Sequence, residues 1–189
     1  MSEKKKRILG AKPSGAGVMA EFTVIAPVLP GHEKAIREVL TMDPETTRLR
    51  DEALQQIATL HEARFVLLDN DTRVQFASSF DGDWDKYIDD FGTSYVGLMF
   101  DAIFSHCPGW PGVPNVGTPQ ADTTAAKDWL MGGTIQAMNY YNQWPNASVK
   151  EITRALELQK AFEQVLDNPG AAQALSSPML KPLLSKAAA

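Results

Sequence analysis

The chain has 189 residues, 44% hydrophobic and 22% charged, the usage of a globular protein with one sizeable core and room for an extension. A formal net charge of −5 argues against nucleic acid as the main partner, because binding phosphates needs a clustered positive surface. A single cysteine, Cys107, allows no intramolecular disulfide, which fits a reducing compartment, and no run of about 18 apolar residues is available to span a membrane.

Residues 1–19 are rich in Lys, Gly and Ser and show no periodicity, which predicts a disordered arm. Its basic run, Lys4, Lys5, Lys6 and Arg7, reads as a solvated tail or as an electrostatic tether to an acidic partner or membrane surface. The first 20 residues lack the apolar core of a signal peptide, so the expected location is the cytoplasm. Asn146-Ala147-Ser148 matches a glycosylation acceptor but then reads as a helix cap. "EFTVIAPVLPG" alternates Phe22, Val24, Ala26 and Val28 with Thr23, Ile25 and Pro27, the pattern of a strand at or near an edge, since Pro27 cannot donate to a ladder. "HEKAIREVL" then places Ala35, Ile36, Val39 and Leu40 on one helical face. Asp43-Pro44 restarts the helix, with Asp as the cap and Pro in the first turn.

"RFVLLDNDTRVQFASSFDGDW" predicts an antiparallel hairpin. In its first run His61, Ala63, Phe65 and Leu67 point one way, and Glu62, Arg64, Val66 and Leu68 the other. Asp69-Asn70-Asp71-Thr72 supplies turn residues that tolerate left-handed backbone. In the second run Val74, Phe76, Ser78 and Phe80 share a face. Asp81-Gly82-Asp83 opens a helix striped by Trp84, Tyr87, Ile88 and Phe91, interrupted near Gly92 and continuing through "YVGLMFDAIFSH". Residues 107–122, with four prolines and three glycines, make a long loop of the kind that often carries function. A short helix, "TTAAKDWLM", leads to "TIQAMNYYNQW", which is β-prone and suits a last strand. Ser148 with Glu151 forms a capping box for a helix that ends at Asn168-Pro169-Gly170.

Stripped of additions this order is β-α-β-β-α-β, the ferredoxin-like α+β plan: an antiparallel sheet with helices on one face and an extra C-terminal helix. The boundaries are a basic arm over 1–19, the α+β domain over 20–168 and a tail over 169–189. A sheet apolar on both sides needs cover beyond its own helices. Here "EFTVIAPVLPGHEKAI", "LHEARFVLLD" and "FASSFDGDWDKYIDDF" resemble the dimeric α+β barrel superfamily, in particular bacterial ferredoxin-like domains associated with haem peroxidase-type proteins. The resemblance, over roughly residues 20–168, implies a homodimeric barrel in which two sheets cover one another. The superfamily also includes chlorite-degrading enzymes, cofactor-free monooxygenases and members without known chemistry, so the fold alone does not fix an activity.

Arg64 and Asp81 are the candidate catalytic pair, Arg64 polarising a bound oxygen or peroxide and Asp81 moving a proton. A plain salt bridge between them, or between Arg64 and Asp85, is the structural alternative. His106 and Cys107, in "FSHCPGWPG", are candidate axial haem ligands, with Trp110 in the following loop as a pocket wall. Their alternative is a helix C-terminus stopped by Pro108 and Gly109. His61 is a further candidate ligand or a packed residue. No metal site is expected. Three histidines and one cysteine do not complete a structural zinc site next to His106. The acids from Asp81 to Asp90 fail the calcium-loop spacing, with Lys86 at the glycine position and Gly92 at the glutamate position. Trp110, Trp129, Tyr140, Tyr141 and Trp144 form core and interface, or wall a pocket for a flat ligand. Two functions follow. One is an oxidoreductase-like domain binding a small molecule, with haem or without a cofactor. The other is a non-catalytic homodimerising module whose tails dock on a larger protein.

Overall fold

The first alternating run forms β1 (Met19–Pro27), and Gly31 turns the chain into α1 (Glu33–Leu40). α2 (Pro44–Ile57) starts where the Asp43 carboxylate accepts the Thr46 N–H at 2.9 Å, with Pro44 in the first turn. The hairpin is β2 (Leu60–Leu68) and β3 (Arg73–Asp81). Its turn is built from three consecutive left-handed residues, Asp69, Asn70 and Asp71, which Asn and Asp tolerate at little cost. Arg37 of α1 grips the Asp71 carboxylate through Nε at 2.8 Å and a second nitrogen at 2.5 Å. Then come α3 (Trp84–Gly92), capped by Asp83, and α4 (Tyr95–Phe104), capped by Ser94, followed by the long loop and α5 (Thr124–Gly133). The computed structural model describes residues 18–187, so the basic run Lys4–Arg7 lies outside the described residues.

The sheet has the order β1-β3-β2, both pairs antiparallel. β1 and β2 are therefore parallel with β3 between them, a split β-α-β unit. Rows cross all three strands: Val24, Phe76 and Phe65 form one, and Ala26, Val74 and Leu67 the next. These residues make the inner face. Phe22 meets Trp84 of α3, Phe80 stacks on Tyr87 at 4.0 Å, and Phe76 meets Phe100 of α4 at 4.7 Å. The core thus lies between the inner face and the helices.

Among the described residues the expected last strand does not form. Thr134 makes an isolated bridge with Val24, and Ile135 N–H donates to the Thr23 carbonyl at 2.9 Å. The segment then leaves the edge because side chains capture it. The Glu21 carboxylate accepts the Ala137 N–H at 3.3 Å, and the Tyr140 hydroxyl reaches Ser79 Oγ at 3.0 Å. Residues 137–145 therefore run over the outer face, where Val18 N–H donates to the Pro145 carbonyl. The outer face is also less greasy than the strand pattern implied. Glu21, Ser79 and Asp81 lie on it, so the chain itself covers part of the surface assigned to a second sheet.

Contacts divide the chain into a first unit ending at Val149 and a second beginning at Lys150. The second contains nearly all of α6 (Val149–Leu166), then α7 (Ala171–Ala174), a 3-10 turn over Pro178–Leu180 and α8 (Lys181–Ala187). No residue of α6 is buried.

Candidate functional site

At the β2 edge, between the inner face and the helices, lies a cavity of about 370 Å³. That volume falls within the range of about 300–1,000 Å³ typical of small-molecule pockets. Phe65 of β2, Phe76 of β3, Phe91 of α3 and Phe100 of α4 supply aromatic walls. Leu40 and Met42 close one side from the end of α1, and Leu54 another from α2. The strand period and the helix period generate this lining together: alternate residues of β2 and β3 point inward, and Phe91 and Phe100 lie on the sheet-facing sides of their helices.

The polar part of the lining is Arg50, Asp51 and Arg64. Arg50 donates from Nε to Asp51 at 2.8 Å and from a terminal nitrogen to the Met42 sulfur at 3.5 Å. Arg64 is exposed and lies 3.6 Å from Glu62. Two guanidinium groups and one carboxylate thus border an aromatic cavity, an arrangement suited to a flat molecule carrying one anionic oxygen. A second, wider depression of about 630 Å³ lies between α2 and the α3–α4 junction. Its charges, like Arg50 with Asp51 and Arg64 with Glu62, are paired with neighbours, Glu52 with Arg48 at 2.5 Å and Lys86 with Asp90 at 3.0 Å, but it lacks the phenylalanine walls.

The candidate pair Arg64 and Asp81 does not come together. Arg64 lies opposite Ala77, four residues before Asp81 on β3, a separation of about 13 Å along the strand. Asp81 instead takes His61, Nε2 to Oδ1 at 2.7 Å, while its other oxygen accepts the Val149 N–H at 2.7 Å. A register shift between Leu60 and Glu62 leaves His61 as the extra residue of a bulge, so it does not share the face of Phe65 and Leu67.

His106 lies beyond the opposite end of the sheet, its carbonyl accepting the Leu29 N–H at 2.8 Å. The length of β1 puts it about 25 Å or more from Asp81. Its Nδ1 faces Nδ1 of His32 at 3.0 Å, and burial together with His32 lowers its pKa below the ordinary 6.5. Cys107 is buried in the core, and burial pushes its thiol up to about 11. Trp110 packs on Phe104 and Trp129 while its indole N–H donates to Asp101 at 2.8 Å. Neither His61, His106, Cys107 nor Trp110 lines the aromatic cavity. These residues do not fit a haem there, because no imidazole or thiolate faces the space.

Sequence reasoning missed Arg50, Asp51, Met42 and His32. Arg50 and Asp51 sit on the polar side of an amphipathic pattern, where charged residues are ordinarily solvated. Only the approach of β2 and α4 turns them into a wall.

No family model matches the sequence, and no curated protein matches it. A solved structure from Nitrosomonas europaea, provisionally named an antibiotic biosynthesis monooxygenase, is 13% identical over 51% of this chain and 86% of its own length, with a TM-score of 0.37. A likeness at that score carries no weight for fold or chemistry.

Proposed function

We propose that the first unit is an oxidoreductase-like domain that binds a flat, mostly apolar small molecule at the β2 edge. The observation that carries this reading is the aromatic cavity bordered by Arg50 and Arg64. Phe65, Phe76, Phe91 and Phe100 take up the rings of the ligand. The guanidinium groups hold a phenolate, enolate or carboxylate oxygen and favour its charged form. Haem is not part of this reading.

Titration calorimetry of the full chain with 3-hydroxy-2-naphthoate and with neutral naphthalene tests it. The naphthoate binds in the cavity, Ala63→Trp fills the space and abolishes binding, and Arg50→Gln weakens the naphthoate by about ten- to a hundredfold, the value of one charge-assisted contact of about 1.5–3 kcal/mol. Naphthalene is indifferent to Arg50→Gln. Unchanged naphthoate binding by Ala63→Trp overturns the reading.

A second reading, a homodimerising or assembly module, is favoured by the exposed apolar side chains that follow the sheet. Met138 is 97% exposed, Tyr141 82% and Trp144 63%. Exposed apolar surface of this kind marks contact sites. Light scattering checks it: a dimer that dissociates on Tyr141→Ser with Trp144→Ser supports it, and a strict monomer at high concentration excludes self-association.

A further inference from the structure

His32 and His106 lie outside the cavity. They are 74 residues apart in sequence, yet their Nδ1 atoms are 3.0 Å apart, with ring planes at 70°. The backbone fixes both. Leu29 donates its N–H to the His106 carbonyl at 2.8 Å and accepts the His32 N–H at 2.9 Å, so one residue clamps the pair. His32 sits at the start of α1, where its carbonyl accepts the Ile36 N–H, and His106 follows the end of α4, its N–H bonded to Ile103.

Two neutral imidazoles meet this closely in only two ways. Either one Nδ1 carries the proton and the other offers its lone pair, or both lone pairs face a shared cation. At metal–nitrogen lengths of about 2.0–2.1 Å, two ligands of a tetrahedral ion are about 3.3 Å apart. The observed separation is within a few tenths of an ångström of that bite.

We propose that Nδ1 of His32 and Nδ1 of His106 form a chelating pair for a divalent transition metal, with solvent completing its coordination. Among the described residues no third His, Cys, Asp or Glu gathers with them, and Cys107 is buried in the core. The site is therefore open and all-imidazole. Such donors suit copper, nickel and zinc rather than magnesium or calcium, and copper binds tightest in the divalent series.

Titration calorimetry and electron paramagnetic resonance of the full chain with Cu²⁺ test the assignment. One equivalent binds, and the spectrum shows two imidazole nitrogens. His32→Gln and His106→Gln each weaken binding about tenfold or more and remove one nitrogen, while His61→Gln changes neither. Glutamine keeps a polar group at each position, and far-ultraviolet circular dichroism verifies the fold. The wild-type spectrum is decisive should a variant unfold: fewer than two imidazole nitrogens overturns the proposal. So does Cu²⁺ affinity that survives both substitutions or is lost only with His61.

Discussion

The two faces of the sheet are covered by different means. The inner face is sealed by rings against helices: Phe22, Phe76 and Phe80 are buried under Trp84, Tyr87 and Phe100. The outer face is covered in part, over β1 and β3, by an irregular segment held through polar contacts, Ala137 to Glu21 and Tyr140 to Ser79. Burial of apolar area drives the first arrangement, at about 1.5–3 kcal/mol per large side chain. The second depends on directed bonds worth about 0.5–1.5 kcal/mol each. A sheet can therefore be closed on one side by mass and on the other by a few well-placed atoms.

Substitutions on each side separate these two mechanisms. Phe76→Ala, at the centre of the inner face, costs about 3–5 kcal/mol, read as a lowered urea midpoint. A loss below about 1 kcal/mol would mean that the inner face is not the core. Tyr140→Phe removes the hydroxyl that reaches Ser79 and costs only about 0.5–1.5 kcal/mol, with amide exchange quickening over residues 135–145 and not in β3. Equal costs at the two positions would erase the contrast. The finest test uses pH. His106 has its folded pKa below the ordinary 6.5, through burial first and His32 second. The unfolded chain then binds the extra proton, so stability is full above about 6.5 and declines as pH falls through that value toward the folded pKa. His106→Gln flattens the slope, followed as urea midpoints from pH 7.5 to 5.

The features legible from sequence were those decided locally. Asp43-Pro44 capped its helix because cap and first turn lie within four residues. The Asp69-Asn70-Asp71 turn and the strands around it follow from residue chemistry and a period of two. What stayed hidden required distant partners. The bulge at His61 arises from register against β3, and it redirects the imidazole to Asp81 in place of Arg64. Residues 134–144 have strand composition, but Glu21 and Ser79 divert the chain after one bridge. The proline-rich loop reads as a site wall, whereas Asp101 binds Trp110 and Val113 and ties it to α4. The cavity is the extreme case, since its lining comes from β2, β3 and four helices, and of its charged residues only Arg64 stood out in the sequence, while nothing marked Arg50 and Asp51.

Among the described residues β2 has a neighbouring strand on one side only. Its free margin offers unpaired amides and carbonyls to any passing strand, the usual start of uncontrolled stacking. Glu62 and Arg64 stand exposed on that margin, and the His61 bulge breaks its regularity. The same short stretch that borders the cavity thereby guards the open side of the sheet against pairing with another strand.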